Sequence, residues 1–389
     1  MPRTEAGARL DLPTRLRIRL ARARRWEFWP GWLFYLPVIG WIVLLGLRHR
    51  HFTAFTAANP GFDNGSVVGE RKSVALLALQ ARHPQHLPLT RKLPAATPAA
   101  LAAVDALAAQ QGWPLVLKPD IGQRGRGVAI VHGREEAAAY LRQARFTVLA
   151  QAYAAGAEYG VFVMRKPGRA ELEISSIVHK VLPTLVGDGV RTLGALILAD
   201  ARARLIAPQL YARHAQSLDT VPEAGERVQL VELGAHCRGA EFRSAMELDS
   251  PALLATMQQI ADAVPGFAFG RIDLRCPDAE ALRAGRELAV LEINGVTSEP
   301  AHYYQPGTPL RRAWAGFCAH WSRAFALGRE QLREPGVRAI APLRLLALFR
   351  EDLRRFDACE AAAGAARAAR ARGTAAVPGA EAHNRPRAA

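Results

Sequence analysis

Cysteine is scarce in this 389-residue chain: Cys237, Cys276, Cys318 and Cys359 lie far apart and never form a C-x-x-C pair. That excludes a disulfide scaffold and a structural zinc ribbon, and it makes reduced thiols in a cytosolic compartment the default. Glycine and proline number 32 and 25 but follow no three-residue period, which excludes a collagen-like fibre. A Gly-Lys-Ser/Thr loop ending and a G-x-G-x-x-G run are both missing, which disfavours a P-loop NTPase and a dinucleotide-binding Rossmann fold. Acidic residues are few beside basic ones, 35 against 51, a net charge of +16. Such an excess points first to nucleic acid, but its distribution argues otherwise. Residues 1–25 hold eight arginines against Glu5 and Asp11, and 311–389 hold 15 arginines against seven acids. The body between is nearly neutral. Basic ends on a neutral body fit an enzyme held at an anionic membrane surface better than a nucleic-acid reader.

Charge is also missing from 28–47, FWPGWLFYLPVIGWIVLLGL. Twenty helical residues reach about 30 Å, the thickness of a bilayer core. Trp26, Trp29, Trp32 and Trp41 lie in or beside the stretch, and indoles prefer the membrane interface. Arginines on both sides leave the positive-inside rule undecided, and Pro30 and Pro37 are expected to break or kink a straight span. Three readings are open: a re-entrant or interfacial helix with both flanks cytoplasmic, a single span, and a buried core helix or signal peptide.

Half of the residues are apolar, enough for a sizeable core, and the length suits two or three domains. Helical periodicity over 74–81, 99–110, 135–144 and 251–264 alternates with strand runs. The strand runs are 115–118, 128–131, 147–151, 160–164, 172–179, 228–232, 269–275 and 287–293. Hairpin-like pairs mixed with helices read as an α+β fold. The expected layout is a basic tail at 1–25, a membrane-associated segment at 26–50 and a preceding region at 51–110. A catalytic domain at 111–310, amphipathic helices at 311–356 and a disordered Ala/Arg-rich tail at 357–389 follow. The amphipathic helices read either as a basic platform on a membrane or as ordinary packing helices.

Two segments carry chemistry. In Arg271-Ile272-Asp273-Leu274-Arg275, alternation puts Arg271, Asp273 and Arg275 on one strand face; in Leu291-Glu292-Ile293-Asn294 it puts Glu292 and Asn294 on one face. The connection at 276–286 lets the two strands pair, and the shared face then holds two carboxylates, a carboxamide and guanidinium groups. A hard divalent cation would relieve the repulsion, because Mg²⁺ takes oxygen ligands; an exposed face of ion pairs is the competing reading. The second segment runs Leu115-Val116-Leu117-Lys118-Pro119-Asp120-Ile121-Gly122-Gln123-Arg124-Gly125-Arg126-Gly127. An apolar strand ends in a lysine, and Gly122, Gly125 and Gly127 let backbone N–H groups approach phosphate oxygens. Alone, it also fits a glycine-rich hairpin turn.

The order of these pieces resembles the ATP-grasp superfamily of carboxylate–amine ligases over roughly 66–310. The resemblance is nearest to the D-alanine–D-alanine ligase-like and cyanophycin-synthetase-like members. Its most specific part is Leu291-Glu292-Ile293-Asn294-Gly295 with the upstream Arg-Ile-Asp; segment 186–193 resembles the Gly-Asp-Gly segment of the second group. The resemblance implies an ATP-grasp fold, two α+β subdomains clasping ATP. It implies Asp273, Glu292 and Asn294 as ligands of Mg²⁺, in one or two ions, with Mn²⁺ able to substitute. Lys118 would contact the ATP phosphates under a flap of Gly122, Gly125 and Gly127, and Lys72 would be the earlier ATP lysine. The hinge Gln151-Ala152-Tyr153-Ala154 would hold adenine, Glu158 the ribose hydroxyls, and Arg271 would stabilise the acyl phosphate or the tetrahedral oxyanion. The departures are Gln151, where an acid is common, and a hydrophobic segment in place of the substrate domain of the D-alanine ligases.

The expected function is therefore ATP-dependent formation of an amide from small-molecule carboxylate and amine substrates. The expected setting is the cytoplasmic side of the cell membrane, without nucleic acid, with a homodimer implied by the resemblance. The competing functions are ligation of an amino acid onto a protein or peptide, and an ATP-binding membrane scaffold without turnover. Arg238 and Arg243, in the Gly-flanked segment 234–243, are candidates for an anionic substrate. Cys237 beside them need not be a nucleophile. His83 and His86 read as surface histidines.

Overall fold

Antiparallel hairpins carry this chain. The computed structural model describes residues 10–93, 98–123, 125–166, 168–232, 234 and 239–375. They form two compact units, one of residues 10–68 and 155–345 and the other of 69–154 and 346–375. The span 111–310, expected as one domain, is thus divided at Ala154.

The first unit opens with α1 (Leu12–Ala23) and α2 (Gly31–Arg48). Asp11 caps α1 by accepting from the Thr14 amide, and Pro13 sits in its first turn, where no N–H is needed. Pro30 occupies the N-cap of α2, and the helix continues through Pro37 rather than breaking there. One lost backbone bond is outweighed by the packing of Phe34, Val38 and Leu45, which are buried.

The second unit is built on a four-stranded sheet of β1 (Thr90–Leu93), β2 (Leu115–Pro119), β3 (Ala129–Val131) and β4 (Val148–Ala152), in the order β1-β4-β2-β3. With it come α3 (Lys72–Arg82), α4 (Pro98–Gln111) and α5 (Arg134–Gln143). Leu93, Val104, Leu107, Leu115, Leu117, Val131, Tyr140 and Val148 form its core.

The first unit resumes with a five-stranded sheet of β5 (Ala157–Arg165), β6 (Leu172–Val181), β9 (Glu241–Ser244), β10 (Phe269–Cys276) and β11 (Ala289–Asn294), in the order β11-β10-β5-β6-β9. A separate hairpin joins β7 (Thr184–Val186) to β8 (Arg227–Gln229). Helices α6 (Leu193–Ala199), α7 (Ala207–Arg213), α8 (Pro251–Ala263), α9 (Ala279–Arg283) and α10 (Leu310–Gln331) complete it. Ser250 caps α8 and Asp278 caps α9. Phe162 and Phe269 pack edge-on, 5.1 Å between centroids, with His320 of α10 against both rings.

The last helix, α11 (Pro342–Ala375), corrects one expectation. Its second half was expected to be disordered for want of large apolar residues, yet it is helical as far as Ala375. Alanine and arginine are strong helix formers, and Ala362, Ala363 and Ala366 are small enough to pack into the core of the second unit. The remainder of the expected tail, 376–389, lies outside the described residues.

Candidate active site

In the first unit the two motif strands are direct neighbours. Asp273 of β10 stands opposite Glu292 of β11, and Arg271 opposite Asn294, with a bulge immediately after Asp273. Bulges re-aim side chains at functional sites. On the other flank of β10, Asp273 stands opposite Gly160 of β5 and Arg275 opposite Glu158. One strand further, Glu158 stands opposite Lys180 of β6. Four strands therefore contribute charge to a single face.

The side chains form a continuous network. Arg271 grips Asp273 bidentately, Nε to Oδ1 at 2.8 Å and Nη2 to Oδ2 at 3.1 Å. Lys180 Nζ reaches Asp273 Oδ1 at 3.0 Å and Glu158 Oε1 at 3.2 Å. Arg275 Nη2 holds Glu158 Oε2 at 3.1 Å. The Asn294 amide donates to Asp273 Oδ2 at 3.1 Å. Burial pushes the Asp273 carboxyl up, but Arg271 and Lys180 more than reverse this and hold it below the usual carboxylate range. Burial pulls Lys180 down, and Asp273 and Glu158 more than compensate, so it keeps its proton.

The loop after β11 closes one end of this face. Ser298 Oγ accepts from the Arg271 amide at 3.2 Å, and Arg271 Nη1 reaches the Glu299 carbonyl at 3.4 Å. The Glu299 carboxylate accepts from the Tyr304 hydroxyl at 2.6 Å. Burial pushes Glu299 up to about 7, with the Tyr304 bond pulling partly back.

The donor set Asp273, Glu292 and Asn294 suits a hard cation: two carboxylates and a carboxamide on adjoining register positions offer oxygen ligands and leave room for others. Among the described residues no group of three or more Asp, Glu, His or Cys side chains gathers as a metal cage. A cation here would share Asp273 with Arg271 and Lys180.

In the second unit Lys118, at the end of β2, donates to Gln151 Oε1 at 2.8 Å, and Gln151 donates to Thr90 Oγ1 at 2.9 Å. Gln151 thus orients Lys118. Lys72 opens α3 and donates to the carbonyl of Gly122 in the glycine loop, which follows the strand that carries Lys118. Gly125 and Gly127 have positive φ, +67° and +70°, which only glycine adopts without strain. Tyr140 fixes the loop by donating to the Gly127 carbonyl at 2.7 Å. The Ala152 amide donates to the Leu89 carbonyl at 2.9 Å, and Tyr153 and Ala154 follow at the end of the unit.

Arg243 is not brought to this face. It stands opposite His179 in the register, on the other side of the sheet from Lys180, and pairs with Glu241 at 2.7 Å. Arg238 lies outside the described residues. The Gly187-Asp188-Gly189 segment is a turn in which Asp188 accepts from the amides of Val190 and Arg191. Lys180, Arg275 and Glu299 are the members that the motifs alone left unassigned. Lys180 falls one residue beyond the strand read over 172–179. The hairpin that closes at Arg165 and Leu172 puts it opposite Glu158 only because the register shifts by one residue between Phe162 and Val163.

No protein-family model matches the chain, and no curated protein matches it. Solved structures do. The chain is similar to a bifunctional glutathione synthetase from Pasteurella multocida, at 19% identity and a TM-score of 0.36, over 64% of this chain and 35% of that one. It is similar to a D-alanine–D-alanine ligase from Bacillus anthracis complexed with ATP, at 16% identity and a TM-score of 0.35, over 68% and 64%. A D-cycloserine synthetase is similar at 17% identity and a TM-score of 0.37, over 66% and 69%. The chain thus spans about a third of the first enzyme's length and just under two thirds of the second's. These likenesses carry no role over to this chain, and the chemistry of its site is read from its own side chains.

Proposed function

We propose that this protein is an ATP-dependent carboxylate–amine ligase. The observation that carries the reading is the register of β10 and β11, which sets Asp273 against Glu292 and Arg271 against Asn294 on one face. Lys180 and Arg275 supply further positive charge there. Such a face can neutralise charge that spreads over phosphoryl oxygens during transfer. Asp273, Glu292 and Asn294 would hold Mg²⁺, which when bound supplies charge neutralisation at phosphate oxygens. Within the second unit, Lys72, Lys118 and the amides of the glycine loop suit binding of nucleotide phosphates, and the hinge 151–154 that of adenine.

In the proposed reaction a substrate carboxylate oxygen attacks the γ-phosphorus and ADP leaves. The acyl phosphate formed is attacked by an amine, phosphate departs, and the amine loses a proton to give the amide. Arg271 would stabilise the oxyanion. Residues 1–50 would hold the enzyme on the cytoplasmic side of a membrane, as their apolar stretch and flanking arginines suggest.

ADP release with pooled carboxylates and amines, followed by mass analysis of the product, tests this. A Mg²⁺-dependent release that requires one member of each pool and yields a dehydrated adduct is the expected result. ATP binding without release in any pool would overturn the ligase reading in favour of a scaffold.

A further inference from the structure

We infer that α2 lies flat in one leaflet of an anionic bilayer, with its C-terminal end over lipid headgroups, and does not cross the membrane. The inference rests on the membrane attachment proposed for residues 1–50 and adds its geometry and the chemistry of the lipid.

Among the described residues, α2 is the one helix long and apolar enough to span a bilayer. Its packing argues against a span. Phe34 and Val38 are buried in one cluster with Ala313 and Phe317 of α10, and Leu45 in another with Phe325. The Trp314 indole donates to the Phe34 carbonyl at 3.0 Å, and that of Trp41 donates to Ser322 Oγ at 2.9 Å. α2 is thus fastened along its length to α10, which also carries Arg311, Arg312, Arg323, Arg329 and Glu330. Inserting α2 across a bilayer would either carry those charges into hydrocarbon or strip the helix from its partner.

The opposite side of α2 has no polar residue. Trp32, Leu33, Leu36, Ile39, Val43, Leu44 and Leu47 are exposed, Trp32 by 68%. A face of this extent is uncommon on a protein surrounded by water. Near it in sequence, α1 exposes Leu12, Leu16 and Leu20, spaced four apart, while its Ile18 is buried. Arg15, Arg17, Arg19 and Arg24 accompany that stripe, the pattern of a helix lying in a membrane interface. At the C-terminal end of α2, Arg48, Arg50, Arg329 and Arg333 line a cleft of about 850 Å³. Its one acidic residue, Glu330, already accepts from the Gly168 amide at 2.7 Å. An apolar face ending in such a cleft matches the boundary between acyl chains and anionic headgroups.

The test uses the full-length chain and vesicles of phosphatidylcholine, with and without phosphatidylglycerol. Co-flotation is expected with the anionic vesicles and much less with the neutral ones. Leu36→Glu combined with Ile39→Glu should weaken it at least about tenfold, with an unchanged circular dichroism spectrum. Depth is read from lipids brominated either high in the acyl chain or near its end, comparing the wild type with Trp32→Phe and Trp41→Phe. A flat helix places Trp32 at a shallow level, quenched best by the high bromines, and keeps Trp41, bonded to Ser322 on the α10 side, little quenched by either set. A spanning helix would place Trp41 near the midplane, quenched best by the deep ones, and this result overturns the geometry while leaving the attachment intact. Absence of co-flotation overturns both. Self-association in the absence of lipid that the double Glu variant abolishes would assign the face to a second copy of the chain and likewise overturn the inference. ADP release by the same double variant, measured in solution, keeps the ligase reading a separate question.

Discussion

Asp273 and Lys180 touch at 3.0 Å although they sit on strands that are not neighbours, β10 and β6, with β5 between them. The residue of β5 that lies opposite Asp273 is Gly160. A Cβ added there would stand 2.9 Å from Asp273 Oδ1 and 3.1 Å from Val178 Cγ1. The missing side chain is therefore what opens a path across the central strand, and it lets one ammonium serve two carboxylates.

Lys180 is buried between those carboxylates, so its removal leaves negative charge without its partner. Lys180→Met is expected to cost about 3 kcal/mol, since breaking a buried pair by deleting one member is far more damaging than its net worth suggests. Urea unfolding gives the value. Lys180→Arg should recover part of it, and a Met variant as stable as the wild type would mean the network contributes nothing to folding. Gly160→Ala should reproduce a smaller part of the loss, because the carboxylate at its side can shift by a few tenths of an ångström.

Much of this face was legible in the sequence. Alternation alone put Arg271, Asp273 and Arg275 on one side of a strand, and Glu292 and Asn294 on one side of another. The short connection made the two strands partners. What alternation does not give is the identity of the third and fourth strands. Lys180 joins the site only through the register of a hairpin containing a bulge at Phe162, and one residue of slip would turn it to the other face. Arg243 illustrates the converse. It is polar and Gly-flanked in sequence, but its pairing with His179 turns it away. The tail helix was misread because burial was weighed by side-chain size, whereas a run of alanines can pack closely with little bulk.

Glu292 stands directly opposite Asp273 and, in the proposed chemistry, provides one of the two carboxylates for a cation. Glu292→Gln keeps the shape and removes the charge. The expected outcome is a folded protein whose Mg²⁺-dependent ADP release falls by about a hundredfold, the size typical of losing one preorganised electrostatic contact. Steady-state kinetics over a Mg²⁺ titration makes the comparison. Turnover equal to that of the wild type at every concentration would remove Glu292 from the site.

Lys118 tests the other unit. It is held by Gln151, which is held in turn by Thr90, so the ammonium is positioned before any nucleotide arrives. In the proposed function Lys118 serves the ATP phosphates, and deleting that positioned charge should weaken ATP binding about tenfold or more. Calorimetry on Lys118→Ala measures this. Gln151→Leu is expected to give a smaller loss, because the charge remains but its orientation is no longer fixed.

Glu299 gives a pH-dependent signature. Its carboxyl is pushed from 4.5 to about 7 in the folded protein. Below 4.5 the group is neutral whether the chain is folded or not, and it costs nothing. Between 4.5 and about 7 the unfolded chain releases the proton while the folded one keeps it, so stability falls as pH rises. Above about 7 the folded protein ionises too, and the penalty levels off. At about 1.36 kcal/mol per pH unit the full penalty is about 3 kcal/mol. Glu299→Gln retains a polar partner for the Tyr304 hydroxyl and has no charge to bury. The variant should therefore match the wild type near pH 4 and exceed it by up to about 3 kcal/mol at pH 8. Paired urea titrations across this range read the difference directly, and the contributions of every other titrating group cancel between the two proteins. A difference that stays constant with pH would show that Glu299 ionises as freely in the folded protein as in the unfolded chain.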